Sequence, residues 1–433
     1  MTMSTLGIVG IVVLVVMLFS RMPVAYVMAF LGLCGFAWAV NFAASANLLA
    51  RDIYTEFSHY GLTVIPLFVL MGQIAFQAGI SSRLYDSAYV LFGSRKGGLA
   101  MATVGACAAF SAVCGSTNAT AATMAVVTLP EMKRFGYDDG LATGTVAAAG
   151  SLGILIPPSV IFIVYGILTQ QSIGKLFAAG IVPGILLTLL FLATVYIRVK
   201  IHPELAPAGP KTSVREKARS FLGVAEALLL FVLVIGGMFA GIFTPTEAAA
   251  VGAFLTTVLA VIRGQLDFKG FVKAVSDSTR ISCMVMMIVT GAVVFGHFMT
   301  ITRVPYELAE WISALPLPRM AIMSVIIFMY LCGGCFMDSL AMVMLTVPIF
   351  FPVVEALGYD PIWFGVVIVL VTEMGVITPP VGVNVYVVSG VARDIPLETI
   401  FKGVLPMLLP LLICCALIMI FPQIAIWLPG LMR

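Results

Sequence analysis

The sequence predicts an all-α polytopic membrane protein made of two inverted repeats, with about 10–11 transmembrane helices and two re-entrant hairpins. Three observations predict it. Hydrophobic residues form 61% of the 433-residue chain and charged residues 10%, a balance foreign to soluble globular domains. Apolar runs long enough to cross a bilayer recur from end to end. The chain also repeats itself at a distance of about 222 residues. Gly153-Ile-Leu-Ile-Pro-Pro158 returns as Gly375-Val-Ile-Thr-Pro-Pro380, and Gly136-Tyr-Asp138 returns as Gly358-Tyr-Asp360. Gly and Pro in the middle of apolar stretches, at matching positions of two halves, point to broken helices and a binding site.

The first repeat, 1–197, holds apolar runs at 5–20, 23–40, 61–79, 141–168 and 176–197. The first residues lack the basic segment of a cleaved signal peptide, so 5–20 is kept as a span. A polar linker, 198–220, rich in Pro, Lys and Arg, follows. The second repeat, 221–433, holds runs at 221–240, 246–262, 281–300, 362–392 and 403–430. Residues 41–60 and 263–280 mix charge with apolar residues and suit helices lying along the membrane surface. The eight cysteines sit mostly inside apolar runs, as small buried residues rather than a disulfide framework.

Two stretches, 98–129 and 319–350, are apolar but interrupted at Gly115-Ser-Thr-Asn118 and around Gly333-Gly-Cys-Phe-Met-Asp-Ser339. Their arms fall short of the roughly 20 residues a span needs. Lys and Arg, which collect on the cytoplasmic side, decide how they run. With both stretches re-entrant and the N-terminus outside, 18 Lys and Arg lie inside, including Arg21 and Lys211. The 5 outside are Arg51, Lys175, Arg303, Arg319 and Arg433. With both spanning, the better orientation gives only 14 against 9. The re-entrant arrangement gives each half five crossings, so the second repeat is inverted. The linker is then cytoplasmic and both termini are periplasmic. The scaffold is expected to hold 5–79 and 221–300, the moving elements 98–168 and 319–392, and the last helix 403–430.

The chemistry is expected where helices break, because irregular backbone at membrane depth must be covered by protein or line a cavity. The run 141–168 would be about 42 Å long if fully helical, against a core of about 30 Å. A break at Gly153–Pro158 resolves this. Proline frees carbonyls upstream, hard oxygens suited to a small cation. Downstream a new half-helix turns its positive end toward an anion. The first cation set is Gly115, Ser116 and Asn118 with carbonyls near Gly153 and Ile156. Capping of the hairpin's second arm by Ser116 is compatible with this. The second set is Gly334, Asp338, Gly375 and Thr378. Asp338 is a carboxylate near mid-membrane and so a functional candidate, or else a tip reaching the outer water. The expected substrate contacts are Thr117, Asn118, Pro158, Ser159, Ser339, Pro380, Val381, Gly382 and Asn384. Glu373 stands where the first half has Ser151. It is an ion or proton site, or it pairs with a basic group of a neighbouring subunit.

Other signals point away from chemistry. Cys332-Gly-Gly-Cys335 has redox spacing but lies in a glycine-rich apolar tip without a nearby His, and it reads as close packing. His297 reads as a satisfied interior residue. The sequence has no phosphate-binding Gly-x-x-x-x-Gly-Lys-Ser/Thr loop and no His-Glu-x-x-His. No organic cofactor, nucleic acid or enzymatic activity is expected, and energy must come from an ion gradient.

Five segments resemble the large membrane subunit of TRAP (tripartite ATP-independent periplasmic) transporters. They are Gly241-Ile-Phe-Thr-Pro-Thr-Glu-Ala-Ala-Ala-Val251, Arg21-Met-Pro-Val24, Gly115-Ser-Thr-Asn-Ala-Thr120, Gly153-Ile-Leu-Ile-Pro-Pro-Ser159 and Gly375-Val-Ile-Thr-Pro-Pro-Val-Gly382. The second tip, with Asp338-Ser339, departs most from that pattern. The resemblance implies an elevator fold of the ion-transporter superfamily in a bacterial inner membrane, and import driven by two or more sodium ions. It implies two partners, a separate small four-helix membrane subunit and a periplasmic binding protein that delivers a small organic anion. That anion would be a carboxylate, sugar acid or sulfonate. The competing classes are a standalone sodium/carboxylate symporter, which would work without a binding protein, and an ion channel, whose flux would not saturate.

Overall fold

The structure is a computed structural model that describes residues 2–19, 22–209, 214–313 and 316–432. Arg21, Lys211 and Arg433 of the charge balance, and residues 210–213 of the linker, lie outside the described residues. Among those described, regular structure is helical apart from one isolated bridge between Lys96 and Ala208.

The chain opens with α1 (Met3–Phe19) and α2 (Val24–Ala39), the latter starting directly after Pro23. An Asn41 cap, accepting from the Ala44 N–H at 2.8 Å, starts the amphipathic α3 (Phe42–Ser58). A 3₁₀ turn at Tyr60–Thr63 leads into α4 (Val64–Gln77). Gly79, at φ 69°, turns the chain into α5 (Ile80–Phe92). The first hairpin follows, α6 (Gly98–Cys114) and α7 (Thr117–Arg134). Next come α8 (Asp139–Ser151), α9 (Val160–Thr169) and α10 (Ile173–Ile201). Before α11, residues 203–209 lie along the base of the first hairpin. Gly209 N–H donates to the Gly93 carbonyl at 2.9 Å, and Asp138 N–H to the Leu205 carbonyl at 2.9 Å.

The second half begins with α11 (Val214–Phe231), a π-helical turn at Val232–Gly236 and α12 (Gly237–Phe239). A capping box of Thr244 and Glu247, with Pro245 at the first helical position, starts α13 (Pro245–Ile262). Then come α14 (Phe268–Thr302), α15 (Val304–Ser313) and the second hairpin, α16 (Arg319–Gly334) and α17 (Ser339–Ala356). The chain closes with α18 (Pro361–Gly375), α19 (Val383–Val391), α20 (Leu397–Ile420) and α21 (Gln423–Gly430).

Among the described residues, six helical segments are long and apolar enough to cross a bilayer: Tyr60–Gln77, α10, α13, α14, α17 and α20. Both expected breaks are present, between α8 and α9 and between α18 and α19, and both carry a cis bond between their two prolines.

Four expectations need correction. Residues 263–280 do not form a separate surface helix, because α14 runs unbroken for 35 residues. No Pro or Gly falls between Phe271 and Thr290 to interrupt it, whereas Gly61 precedes α4 at the corresponding place. The run 403–430 is two helices, since Pro422 stops α20. The hairpin arms run past 129 and 350, to Arg134 and Ala356, with prolines tolerated inside α7 and α17. Length alone does not mark α17 as a re-entrant arm, because its 18 residues suffice for a span.

Helix α14 packs on α2 and α4, and α13 on α4. The other assembly holds the hairpins and the broken helices, with α8 against α7 and α20, and α18 against α16 and α20. Helices α8 and α20 cross at glycine. A Cβ on Gly403 would lie 1.8 Å from the Gly140 carbonyl oxygen, and one on Gly144 would lie 2.3 Å from Gly403. Small residues four apart allow backbones to approach this closely, giving dispersion contacts that lipid cannot supply. The buried Glu226 carboxylate ties α11 to its neighbours, accepting from Arg83 at 3.2 Å and Arg263 at 2.8 Å.

Candidate functional site

Each hairpin tip lies against the break of its own half. Gly115 ends α6 at φ 68°, a left-handed conformation that glycine adopts freely. A Cβ on it would lie 2.7 Å from the Pro158 carbonyl oxygen. One on Gly153 would lie 2.6 Å from the Ser116 carbonyl oxygen and 2.9 Å from Thr120 Oγ1. Ser116 caps α7 through the Ala119 N–H at 3.5 Å, and Ser159 caps α9 through Phe162 at 3.3 Å. The second half repeats the arrangement. A Cβ on Gly375 would lie 2.5 Å from the Gly334 backbone, Val381 N–H donates to the Cys335 carbonyl at 3.2 Å, and Asp338 caps α17 through Leu340 at 3.1 Å.

The tips also meet each other. Asn118 of the first tip and Asp338 of the second line the same cavity. Thr117 Oγ1 donates to Asn384 Oδ1 at 2.5 Å, and Asn384 Nδ2 donates to the Ala147 carbonyl at 3.1 Å. Residues 115–118 and 338–339 line one small cavity of about 80 Å³, closed from the other side by Gln73 of α4 and Met284 and Val285 of α14. That volume suits an ion and water. Asp338 also lines a second cavity of about 830 Å³, with Leu18, Met22, Gly333, Val381 and Tyr386, large enough for a small organic ligand. Several buried oxygens at the first tip and the start of α17 have no hydrogen-bond partner among the described residues: Asn118 Oδ1, Thr120 Oγ1 and Ser339 Oγ. Buried polar groups are ordinarily paired, so orphaned oxygens at a glycine-lined tip fit a cation ligand set.

The profile of the family described as "Tripartite ATP-independent periplasmic transporter, DctM component" matches residues 11–424. The chain belongs to the DctM family of TRAP large permeases. The permease is 37% identical to the C4-dicarboxylate TRAP transporter large permease protein DctM of Pseudomonas aeruginosa, covering 92% of this chain and 93% of that one. It is 36% identical to the sialic acid TRAP transporter large permease protein SiaM of Vibrio cholerae, covering 96% of each. Identity is also 36% to the isethionate TRAP transporter permease protein DctMQ of Oleidesulfovibrio alaskensis, over 92% of this chain and 63% of that protein. Among solved structures, the YdaH transporter of Alcanivorax borkumensis superposes with a TM-score of 0.64 at 17% identity, covering 87% of this chain and 88% of that one. MtrF of Neisseria gonorrhoeae gives 0.59 at 17% identity, covering 87% and 83%. These two likenesses show the fold.

Within the permease the expected residues do not all meet. Gly115, Ser116 and Gly153 come together, as do Gly334 and Gly375. The Ile156 side chain packs on Gly184 of α10, and the Thr378 hydroxyl donates to the Met374 carbonyl at 2.6 Å. Pro158 and Ser159 are buried, whereas Pro380 is exposed and Val381 half-buried on the large cavity. Gly382, at φ 61°, packs on Phe401. The sequence reading missed Gln73, Met284 and Val285, which lie in unbroken apolar helices and carry no local signal. It also missed the crossing of Thr117 to Asn384 in the second half.

Proposed function

We propose that this permease imports a small organic anion, handed over by a periplasmic binding protein, and couples its entry to sodium. The convergence of two hairpin tips, with orphaned Asn118 and Ser339 oxygens and the Asp338 carboxylate, carries this reading. Neutral oxygens and one carboxylate suit a hard monovalent cation. The cation offsets the anion's charge, so the loaded site crosses low dielectric as a more nearly neutral unit. Helices α7 and α17 start at the tips and turn the positive ends of their dipoles there, toward the anion. The 830 Å³ cavity, bounded by Asp338, Val381 and the lower end of α1, holds the anion's body.

In this reading the hairpins, α8–α9 and α18–α19 slide as one body against a scaffold that includes α2, α4, α13 and α14. The carried anion is of the kind named for the relatives: a C4-dicarboxylate, a sialic acid or a sulfonate. A small four-helix membrane subunit completes the transporter. The protein sits in the inner membrane with the linker in the cytoplasm.

The test is uptake in proteoliposomes holding the permease with its small subunit, with the binding protein outside. Uptake is expected only under an inward sodium gradient. Ser116→Ala and Asn118→Ala are each expected to raise the sodium requirement. Sodium activation unchanged in both variants removes the first ion site, and full uptake without the binding protein favours a standalone symporter.

A further inference from the structure

We infer that Asn384 is a positioning residue that locks the first hairpin tip to the second broken helix, so that the two ion sites act as one cooperative unit. This rests on the sodium-coupled reading above. Asn384 lies at the start of α19, just past the second Pro-Pro break, and is 0% exposed. Each hydrogen-bonding group on it with a partner reaches a different segment. Its backbone N–H donates to the Val376 carbonyl at 3.0 Å, inside the second break. Its side-chain N–H donates to the Ala147 carbonyl at 3.1 Å, in α8 just before the first break. Its side-chain oxygen accepts from Thr117, in the first tip. One side chain therefore joins the tip and pre-break helix of the first half to the break of the second.

Asn384 is occupied and buried, so it acts through Thr117 rather than by touching the anion. The next residue of the same tip, Asn118, lines one small cavity with Asp338 of the second tip. A cation drawn to Asn118 and Ser116 orders the first tip. Through Thr117 and Asn384 that order reaches the second break, beside Gly375. Linkage then requires that ions at the second site favour the first equally. The strut is silent in the sequence, because its side-chain partners Thr117 and Ala147 lie 267 and 237 residues away.

The test uses Thr117→Val, which keeps shape but removes the hydroxyl, with Thr117→Ser, Asn384→Ala and the Thr117→Val/Asn384→Ala double variant. Sodium dependence of uptake is measured in proteoliposomes with the small subunit and binding protein. Thr117→Val is expected to raise half-saturating sodium about tenfold, as for one buried polar group left unpaired, and to flatten the sodium response toward a slope of one. Thr117→Ser is expected to keep both near wild type. The double variant is expected to be no worse than the worse single, because both remove one interaction. Thermal unfolding of the four variants without sodium or anion gives a second readout, in which the Tm losses are expected to be non-additive in the same way. Additive Tm losses, or a Thr117→Ser as damaging as Thr117→Val, overturn the strut. If wild-type uptake ignores sodium while the Tm losses remain non-additive, the sodium reading fails and the strut stands as a structural link, with its role in cooperativity lost.

Discussion

The two Gly-x-x-x-Pro-Pro breaks share a backbone plan but not an environment. Gly153 through Ser159 are buried apart from Ile156, and the first tip closes on them through Gly115 and Ser116. At the second break Pro379 and Pro380 are exposed, Thr378 and Val381 are half-buried, and the large cavity opens beside them. The buried groups differ too. Ser151 is satisfied by the Ala148 carbonyl at 2.7 Å, whereas the Glu373 carboxyl in the equivalent place has no hydrogen-bond partner among the described residues. A duplicated motif has thus become one sealed site and one accessible site. The sealed copy suits enclosing an ion away from bulk water, and the open copy suits admitting and releasing a ligand.

The strongest attack on this comparison is chemical labelling. In a variant lacking the exposed native cysteines, Pro380→Cys is expected to react with a water-soluble maleimide at least about a hundredfold faster than Pro158→Cys, because modification of a buried thiol requires local opening. Similar rates would erase the distinction between sealed and open copies. Glycine substitution comes next. Gly153→Ala forces a methyl onto the Ser116 backbone inside a closed region, and a loss of about 3 kcal/mol or more is expected, read as lost folded protein on gel filtration. Gly375→Ala meets the Gly334 backbone, but Gly333 of that tip is only partly buried and Phe336 is exposed, so the tip can give. Its cost is expected at about 1–2 kcal/mol, with folded protein retained. Similar in size but opposite in sign is Glu373→Met. Replacing an unpartnered buried carboxyl by an apolar group of similar size is expected to raise stability by about 1–2 kcal/mol, seen as a higher Tm without ligand. A lower Tm would mean that Glu373 has a partner in the resting protein.

Much of this was legible in the chain. The apolar runs and their proline and glycine interruptions located both breaks and both tips, because membrane-depth backbone must be helical unless covered. The pairing of Gly115 with the Gly153 break and of Gly334 with the Gly375 break also follows from the repeat. The difference in exposure between the breaks does not. It depends on which helices pack over each copy, and Ile-Leu-Ile against Val-Ile-Thr carries no such information. The Thr117–Asn384 contact is equally silent, since it joins residues 267 apart. Local rules fared worst where a long helix had no breaker, as in α14, whose polar first turns look like a surface helix yet continue directly into a span.

The smallest expected effect lies at the mouth of the transport assembly. Lys133, at the end of the first hairpin, pairs with Asp394, in the turn after the second broken helix. The pair bridges the two copies outside the membrane-spanning segments. Each charge holds the other in its ionised form: the Asp394 carboxyl lies below the usual carboxylate range and the Lys133 amine above the usual lysine range. A depressed carboxyl contributes stability above its unfolded value of about 4 and loses it only as pH falls through the folded value. A raised amine contributes below about 10 and loses its part as pH rises through the folded value. The contribution is therefore flat between about pH 5 and 9. Both side chains are more than half exposed, so solvent and salt screen the attraction. Lys133→Ala is expected to shift Tm by less than about 2 °C, equally at pH 5.5 and pH 8.5. A larger loss, or one confined to a single pH, would show that the two copies are joined at this mouth as well as at the tips.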